Sequence, residues 1–320
     1  MEAARRSTVC ATGAGGFLAS WLVKLLLSTG RYAVRGTARD PGMFLLSRTE
    51  IPDEAASRVQ QQVPIRTLLS WRWKAPARGW CWSRLTSLNY GSVASAVAGC
   101  EGVFHVASPV PYGRCSDPEA DVIAPSVTGT LNVLRACHEA KVKRVVLVSS
   151  VAAVFNNPSW PKGKAFDEDS WSDEEYCRKI EGWYFLSKIS AEREAFAYAA
   201  ETGLAIVSVC PSMVIGPLLQ STVPTSVKYF LGYIKGGELL PLGYMLLLEA
   251  SGRYLCSVSD IMNIVRTSCP THSYPKRFVE VEDNITYNTD KLQKLGWSFR
   301  PIDETIRDSI ECYRDLGILN

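Results

Sequence analysis

Thr12-Gly13-Ala14-Gly15-Gly16-Phe17-Leu18-Ala19 follows a short apolar run, Thr8–Ala11, and opens a segment of helical apolar spacing, Phe17–Ser28. A glycine-rich turn between a strand and a helix is the setting in which a dinucleotide pyrophosphate is held. Gly13 permits the tight turn, Gly16 lets backbone approach the phosphates, and Ala19 lets helix pack closely on strand. The anion then meets the free N–H groups at the helix start, around Thr12, Gly13, Gly15, Gly16, Phe17 and Leu18. The plainer reading is a tight turn with no ligand, and the position at the first strand argues against it.

The next strand candidate, Tyr32–Ala38, ends in Thr37-Ala38-Arg39-Asp40. In an open parallel sheet that strand end faces the adenine ribose, where an acid selects NAD. Arg39 instead offers a planar cation to a 2′-phosphate. The expected cofactor is therefore NADP(H), against the alternative of a solvated surface arginine.

Further along, strand and helix patterns keep alternating. Gly102–Val106 reads as a strand, Asp121–Ala140 as a long helix, and Arg144–Ser149 (RVVLVS) as a buried strand. Ser187–Thr202 is helical and Leu204–Cys210 is another strand. Such alternation predicts an α/β fold, a Rossmann doubly wound parallel sheet with a smaller C-terminal substrate lobe. The expected division is 1–210 for dinucleotide binding and 211–320 for substrate.

Tyr184-Phe-Leu-Ser-Lys188 places a phenol and an ammonium one helical turn apart on the same face. An unperturbed tyrosine has a pKa of about 10, and a neighbouring cation favours the phenolate. Lys188 is expected to supply that charge and to contact the nicotinamide ribose, so that Tyr184 can give its proton to a nascent alkoxide. A lone Tyr-x-x-x-Lys is a weak signal. Its partner is the hydroxyl pair Ser149-Ser150 at the end of RVVLVS, where ligands bind in open sheets. Ser150 is the preferred carbonyl donor; Ser149 is the alternative, because side chains alternate along a strand. Ala107-Ser108 ends another strand opposite the cofactor, and Pro211 and Val214 follow the next one as candidate nicotinamide neighbours.

Composition excludes other classes. The 320 residues are 47% hydrophobic and 21% charged with net charge +3, ordinary for a globular chain and too mild for nucleic acid. The early apolar run is broken by Gly13, Gly15 and Gly16, unlike a signal peptide. Trp21–Leu27 contains Lys24 and is too short to span a membrane. A cytoplasmic protein is expected. The ten cysteines lack motif spacing, and Cys10, Cys137 and Cys210 sit in core-like runs as reduced thiols. His105, His138 and His272 lie near no ligand cluster, so no metal site is expected. Nothing in the sequence sets an oligomeric state.

Several stretches together resemble the plant cinnamoyl-CoA reductase-like proteins, extended short-chain dehydrogenase/reductases related to dihydroflavonol 4-reductases. They are VCATGAGGFLASWLVKLLL, VFHVASPV, VVLVSSVAAV, WYFLSK followed by AE two residues later, and PSMVIGPLLQSTV. The resemblance covers Thr8–Gly42, Asn89–Gly237 and Ala250–Leu319. It implies a Rossmann domain, NADP(H), a Ser-Tyr-Lys catalytic group and an aromatic substrate of phenylpropanoid, lignin-biosynthetic type. The family's signature close to NWYCYGK is replaced by Gly182-Trp183-Tyr184-Phe185-Leu186-Ser187-Lys188, so an aldehyde or ketone competes with a CoA thioester as substrate.

Two stretches depart from the family. Met43–Ser87 shows no clean alternation, and Arg66–Tyr90 (RTLLSWRWKAPARGWCWSRLTSLNY) stands where relatives resemble NAHLLALEGAGERLVLVKADLLNY. Suitable codons read in a shifted frame spell a family-like string. The stretch is therefore expected to leave the third strand position empty, with Thr86 where an adenine-reading acid belongs. Gly237–Ala250 is also short of a strand and helix containing a VDVRDVA-like stretch. The competing readings are an active carbonyl reductase, a catalytically impaired relative, and a nucleotide-sugar epimerase or dehydratase of the same fold.

Overall fold

The computed structural model describes residues 6–38, 80–84, 87–110, 116–220, 222–234, 252–256 and 286–319. Strands β1 (Ser7–Thr12), β2 (Tyr32–Ala38), β3 (Trp80–Arg84), β4 (Gly102–His105), β5 (Arg144–Val148), β6 (Ile206–Pro211) and β7 (Gly252–Cys256) form one sheet. Its order is β3-β2-β1-β4-β5-β6-β7, and every pairing is parallel. Helices α1 (Phe17–Ser28), α2 (Tyr90–Val97), α3 (Ala124–Glu139), α4 (Glu174–Lys179), α5 (Trp183–Thr202), α6 (Thr225–Ile234), α7 (Asp290–Gln293) and α8 (Ile302–Asp315) complete the described elements. This is the doubly wound architecture expected from the alternation.

Strand periodicity sorts the core into two layers. Cys10, Val103, Val145, Leu147 and Ile206 face α2, α3 and α5. Val9, Ala11 and Val34 face α1, while Val146, Val207 and Val209 pack on Leu292 of α7. With both faces covered, the strands are apolar runs. A third cluster joins Phe17 of α1 to Phe230, Ile306, Ile310 and Tyr313 of α6 and α8. Trp21 Nε1 donates to Pro217 O at 2.8 Å and the Tyr313 hydroxyl to Gly216 O at 2.8 Å, so the loop after β6 is held from both sides. The stretch expected to form the substrate lobe thus returns β7 to the sheet and α8 to the first helix.

The structure corrects one expectation outright. Trp80–Arg84 does occupy the third strand position, paired with β2 from Val34↔Trp80 to Ala38↔Arg84. Only a strand buried between two neighbours has to be a continuous apolar run. Among the described residues β3 is instead the sheet's first strand, bonded to β2 alone, and an edge strand tolerates polar and charged residues that a central one does not. Thr86 and Gly237–Ala250 lie outside the described residues.

The long helix expected over Asp121–Ala140 also differs at its start. Pro125 carries no N–H, so the α-type bond back to residue 121 cannot form. Glu119–Ile123 widens into a π-turn closed by the Ala124 N–H on Glu119 O, and α3 follows.

Candidate active site

The strand order reverses between β1 and β4, and the carboxyl ends there frame the crevice in which such sheets bind ligands. On one side lies the glycine turn. Gly13 has φ of 63°, and a Cβ there would stand 3.0 Å from Ala107 Cα, so this is a position only glycine fills without strain. The end of β2 props the turn: Gly13 N–H donates to Thr37 Oγ1 at 3.2 Å and Ala14 N–H to Thr37 O at 2.8 Å. Gly16 is exposed and caps α1, and among the described residues no side chain is bonded to the helix start. The first turn contains no acid. An uncapped helix terminus behind an open glycine turn fits a pyrophosphate. Leu18 is half-buried beside it, Phe17 points into the core, and Ala19 is fully buried where helix meets strand. Arg39 lies outside the described residues.

Thr12 ties the turn to β4. Its Oγ1 accepts the N–H groups of Val106 at 3.1 Å and Ala107 at 3.0 Å. Both lone pairs are then used, so its proton goes to His105 Nδ1, 2.9 Å away. His105 therefore carries its proton on Nε2, which faces Thr130 Oγ1 at 3.3 Å. Burial, with Lys188 nearby, holds this imidazole down at about 3, so it is neutral. The same histidine joins the glycine turn to the second half of the site.

That half is built by α5 against the end of β5. Ser150 leaves the strand in extended conformation and caps a short turn, Val151–Ala153, by accepting from Ala152 N–H at 3.1 Å. Its hydroxyl also reaches Pro211 O at 3.5 Å and lies beside the Tyr184 phenol, whose pKa it pulls down. Ser149 turns the other way and donates to Glu192 at 2.7 Å, which leaves Ser150 as the hydroxyl facing the phenol. Lys188 is buried and donates to Val148 O at 3.3 Å. The structure thus brings Ser150, Tyr184 and Lys188 together. Pro211 sits at the same strand ends, and Val214 packs in the cluster that holds Phe17. Ala107 lies over Gly13, and among the described residues no hydrogen bond links Ser108 to the trio.

The electrostatics differ from the expectation at Tyr184. Burial pushes its phenol up, and only the Ser150 hydroxyl pulls the other way. Lys188, 5.8 Å from the ring centroid and engaged by Val148 O, does not lower it. Lys188 is itself held down at about 8 by burial, with Glu192 opposing. Cys210 also faces it, but that thiol is pushed up to about 12 by burial and stays neutral. A protonated phenol beside a hydroxyl donor can polarise a carbonyl oxygen and then protonate it.

Three residues packed around the site, His105, Glu192 and Arg253, are not among those the sequence points to. Glu192 stands one turn beyond Lys188, a spacing that could have flagged it. Among the described residues no group of His, Cys, Asp or Glu is arranged to hold a metal, and no helix is long and apolar enough to cross a membrane. Cys10, Cys137 and Cys210 are buried free thiols, as expected.

Residues 9–265 match the NAD dependent epimerase/dehydratase family. Cinnamoyl-CoA reductase 1 of Petunia hybrida is 35% identical over 345 residues, covering 100% of this chain and 96% of that protein. Dihydroflavonol 4-reductase of Hordeum vulgare is 37% identical, covering 98% and 91%. Vestitone reductase from alfalfa (Medicago sativa L.) superposes with a TM-score of 0.74 at 26% identity, covering 98% of this chain and all of that one. The yeast methylglyoxal/isovaleraldehyde reductase complexed with NADPH shares the fold at a TM-score of 0.72 and 22% identity, covering 98% and 100%. This chain is an oxidoreductase of the NAD dependent epimerase/dehydratase family, and it belongs with the plant cinnamoyl-CoA and dihydroflavonol reductases.

Proposed function

We propose that the protein reduces the carbonyl group of an aromatic, phenylpropanoid-type substrate with NADPH. The carbonyl belongs to an aldehyde, a ketone or a hydroxycinnamoyl-CoA thioester. The observation that carries this reading is the meeting of Ser150, Tyr184 and Lys188 beside the open glycine turn. Thr12, Gly13, Gly15, Gly16, Phe17 and Leu18 would hold the pyrophosphate, Arg39 the 2′-phosphate, Lys188 the ribose, and Ala107, Ser108, Pro211 and Val214 the nicotinamide side. When bound, the cofactor supplies hydride. Ser150 and Tyr184 orient the carbonyl oxygen by hydrogen bonds, and Tyr184 gives that oxygen its proton as negative charge develops. A phenol pushed up by burial is in the proton-donor state at neutral pH, which matches the reductive direction.

The test is Tyr184→Phe. Loss of a general acid lowers kcat by about 10²–10⁴-fold. The affinity for NADPH, followed by fluorescence titration, stays within about twofold, because no cofactor contact is removed. Aromatic aldehydes, ketones and hydroxycinnamoyl-CoA esters serve as substrates. Equal turnover by wild type and Tyr184→Phe on each substrate the enzyme accepts would remove the mechanism.

A further inference from the structure

Tyr184, Lys188 and Glu192 form a stripe at i, i+4 and i+8 on α5. They meet three consecutive residues leaving β5. Ser150 lies beside Tyr184 and lowers its pKa, Lys188 Nζ donates to Val148 O at 3.3 Å, and Ser149 Oγ donates to Glu192 Oε2 at 2.7 Å. We propose that Glu192, clamped by Arg253, is a positioning residue that fixes where Lys188 and Ser150 stand and keeps an anion behind the lysine. The proposal rests on the functional reading above.

The clamp is closed on all sides. Glu192 Oε1 receives Ser208 Oγ at 2.5 Å and Arg253 Nε at 2.9 Å. Its Oε2 receives Arg253 Nη2 at 3.0 Å in addition to Ser149. With the Cys210 thiol, which donates to Oε1 at 3.5 Å, five donors meet a carboxylate that is 1% exposed, and the arginine is 5% exposed. Arg253 also donates to Ala153 O at 3.1 Å and to Ser170 O, and its guanidinium lies 3.9 Å from the Trp171 ring centroid. Ala153 ends the turn that Ser150 caps. One ion pair therefore holds Ser149 before that turn and Ala153 after it, and Ser150 is fixed between them.

Packing alone does not call for a charge here, because an apolar pair of similar volume would fill the same space at less desolvation cost. The charge has a target one turn away. The groups acting on Lys188 are Glu192 on its own helix and Cys210 from β6, while His105 from β4 feels the lysine in turn. Tyr184 lies on its other side, and Arg253 from β7 stands behind Glu192. The thiol, the imidazole and the phenol are neutral at pH 7. Among the described residues Glu192 is thus the anion that favours protonated Lys188.

The experiment compares Glu192→Gln/Arg253→Met, Lys188→Ala and the triple variant, with Ser149→Ala beside them. Removing both charges together avoids stranding either one. The double variant is expected to fold and bind NADPH, to lose about tenfold in kcat, and to shift the basic limb of its kcat/KM profile down by about one pH unit. In the Lys188→Ala background the same pair of changes should cost less than about twofold, because positioning acts through the lysine. Ser149→Ala leaves the ion pair whole, so it tests the link to β5 even if the double variant does not fold, and its kcat should fall about threefold or more at temperatures well below its Tm. An unmoved pH limb, an equal loss in both backgrounds, or wild-type kcat in Ser149→Ala would overturn the clamp alone. Unchanged activity in Lys188→Ala would instead overturn the functional reading, and the clamp with it.

Discussion

Among the described residues the sheet has an arginine in each of its two outer strands, and the two edges are made differently. β3 reads Trp-Cys-Trp-Ser-Arg and takes its place through backbone pairing with β2. β7 reads Gly-Arg-Tyr-Leu-Cys and delivers Arg253 into the protein, where Glu192 meets it with both carboxylate oxygens. A charge in a strand sequence is therefore no evidence against the strand. What a fold cannot hold is a buried charge without a partner. The partner of Arg253 sits 61 residues earlier on a helix, and no local spacing announces it.

Arg253→Met alone gives the largest effect expected from this contrast. It leaves the Glu192 carboxylate buried and unpaired, so urea denaturation should show a loss of about 3–5 kcal/mol. Adding Glu192→Gln should return most of that loss, because the second change removes the stranded charge. A loss below about 1 kcal/mol for Arg253→Met would place the pair among weak surface bridges and end the distinction between the edges.

The second test moves inward to the β1–β4 join. His105 is held near 3 in the folded protein, against about 6.5 for an unperturbed histidine. Its folded value is depressed, so the unfolded chain takes up a proton that the folded chain refuses. The stability this gives the neutral ring is complete above pH 6.5 or so and is lost as pH falls toward 3. The slope approaches about 1.4 kcal/mol per pH unit for one proton. His105→Gln should flatten the decline between roughly pH 6 and 4 relative to wild type. Parallel curves for the two proteins would show that the Thr12–His105–Thr130 link does not set acid stability.

How much could be read in advance follows the same contrast. β1, α1, β2 and β5 were legible nearly to their ends, because strands covered on both faces are apolar runs and the glycine turn punctuates them. Tyr184, Lys188 and Ser150 were legible as a spacing plus a strand end. β3 was not, because the edge relaxes the apolar requirement on which the sequence argument relied. The i, i+4 spacing points to a Tyr184 phenol lowered by Lys188, but proximity in sequence is not electrostatic contact. In the folded chain the lysine bonds Val148 O, and burial of the phenol dominates. Glu192 was visible as part of a family-like motif, yet its meaning depends on β7, which no periodicity marked.

The smallest expected effect lies at the β2–β3 side, where the cofactor's adenine end belongs in this fold. β2 ends at Ala38, and Thr37 already supports Gly13 and Ala14 from that strand end. Arg39 is the next residue and lies outside the described residues, so its role is a proposal from sequence position. A guanidinium contact to a 2′-phosphate is a charge-assisted bond contributing about 1.5–3 kcal/mol. Arg39→Asp should therefore raise the Kd for NADPH by roughly tenfold to a hundredfold, and more at low salt than at high salt. NADH lacks the phosphate and gains an acid beside its ribose hydroxyls, so its Kd should stay the same or fall. The ratio of the two constants is the readout, because general damage to the β2 edge would weaken both cofactors together. An unchanged ratio would detach Arg39 from the 2′-phosphate and leave cofactor choice to other residues of that edge.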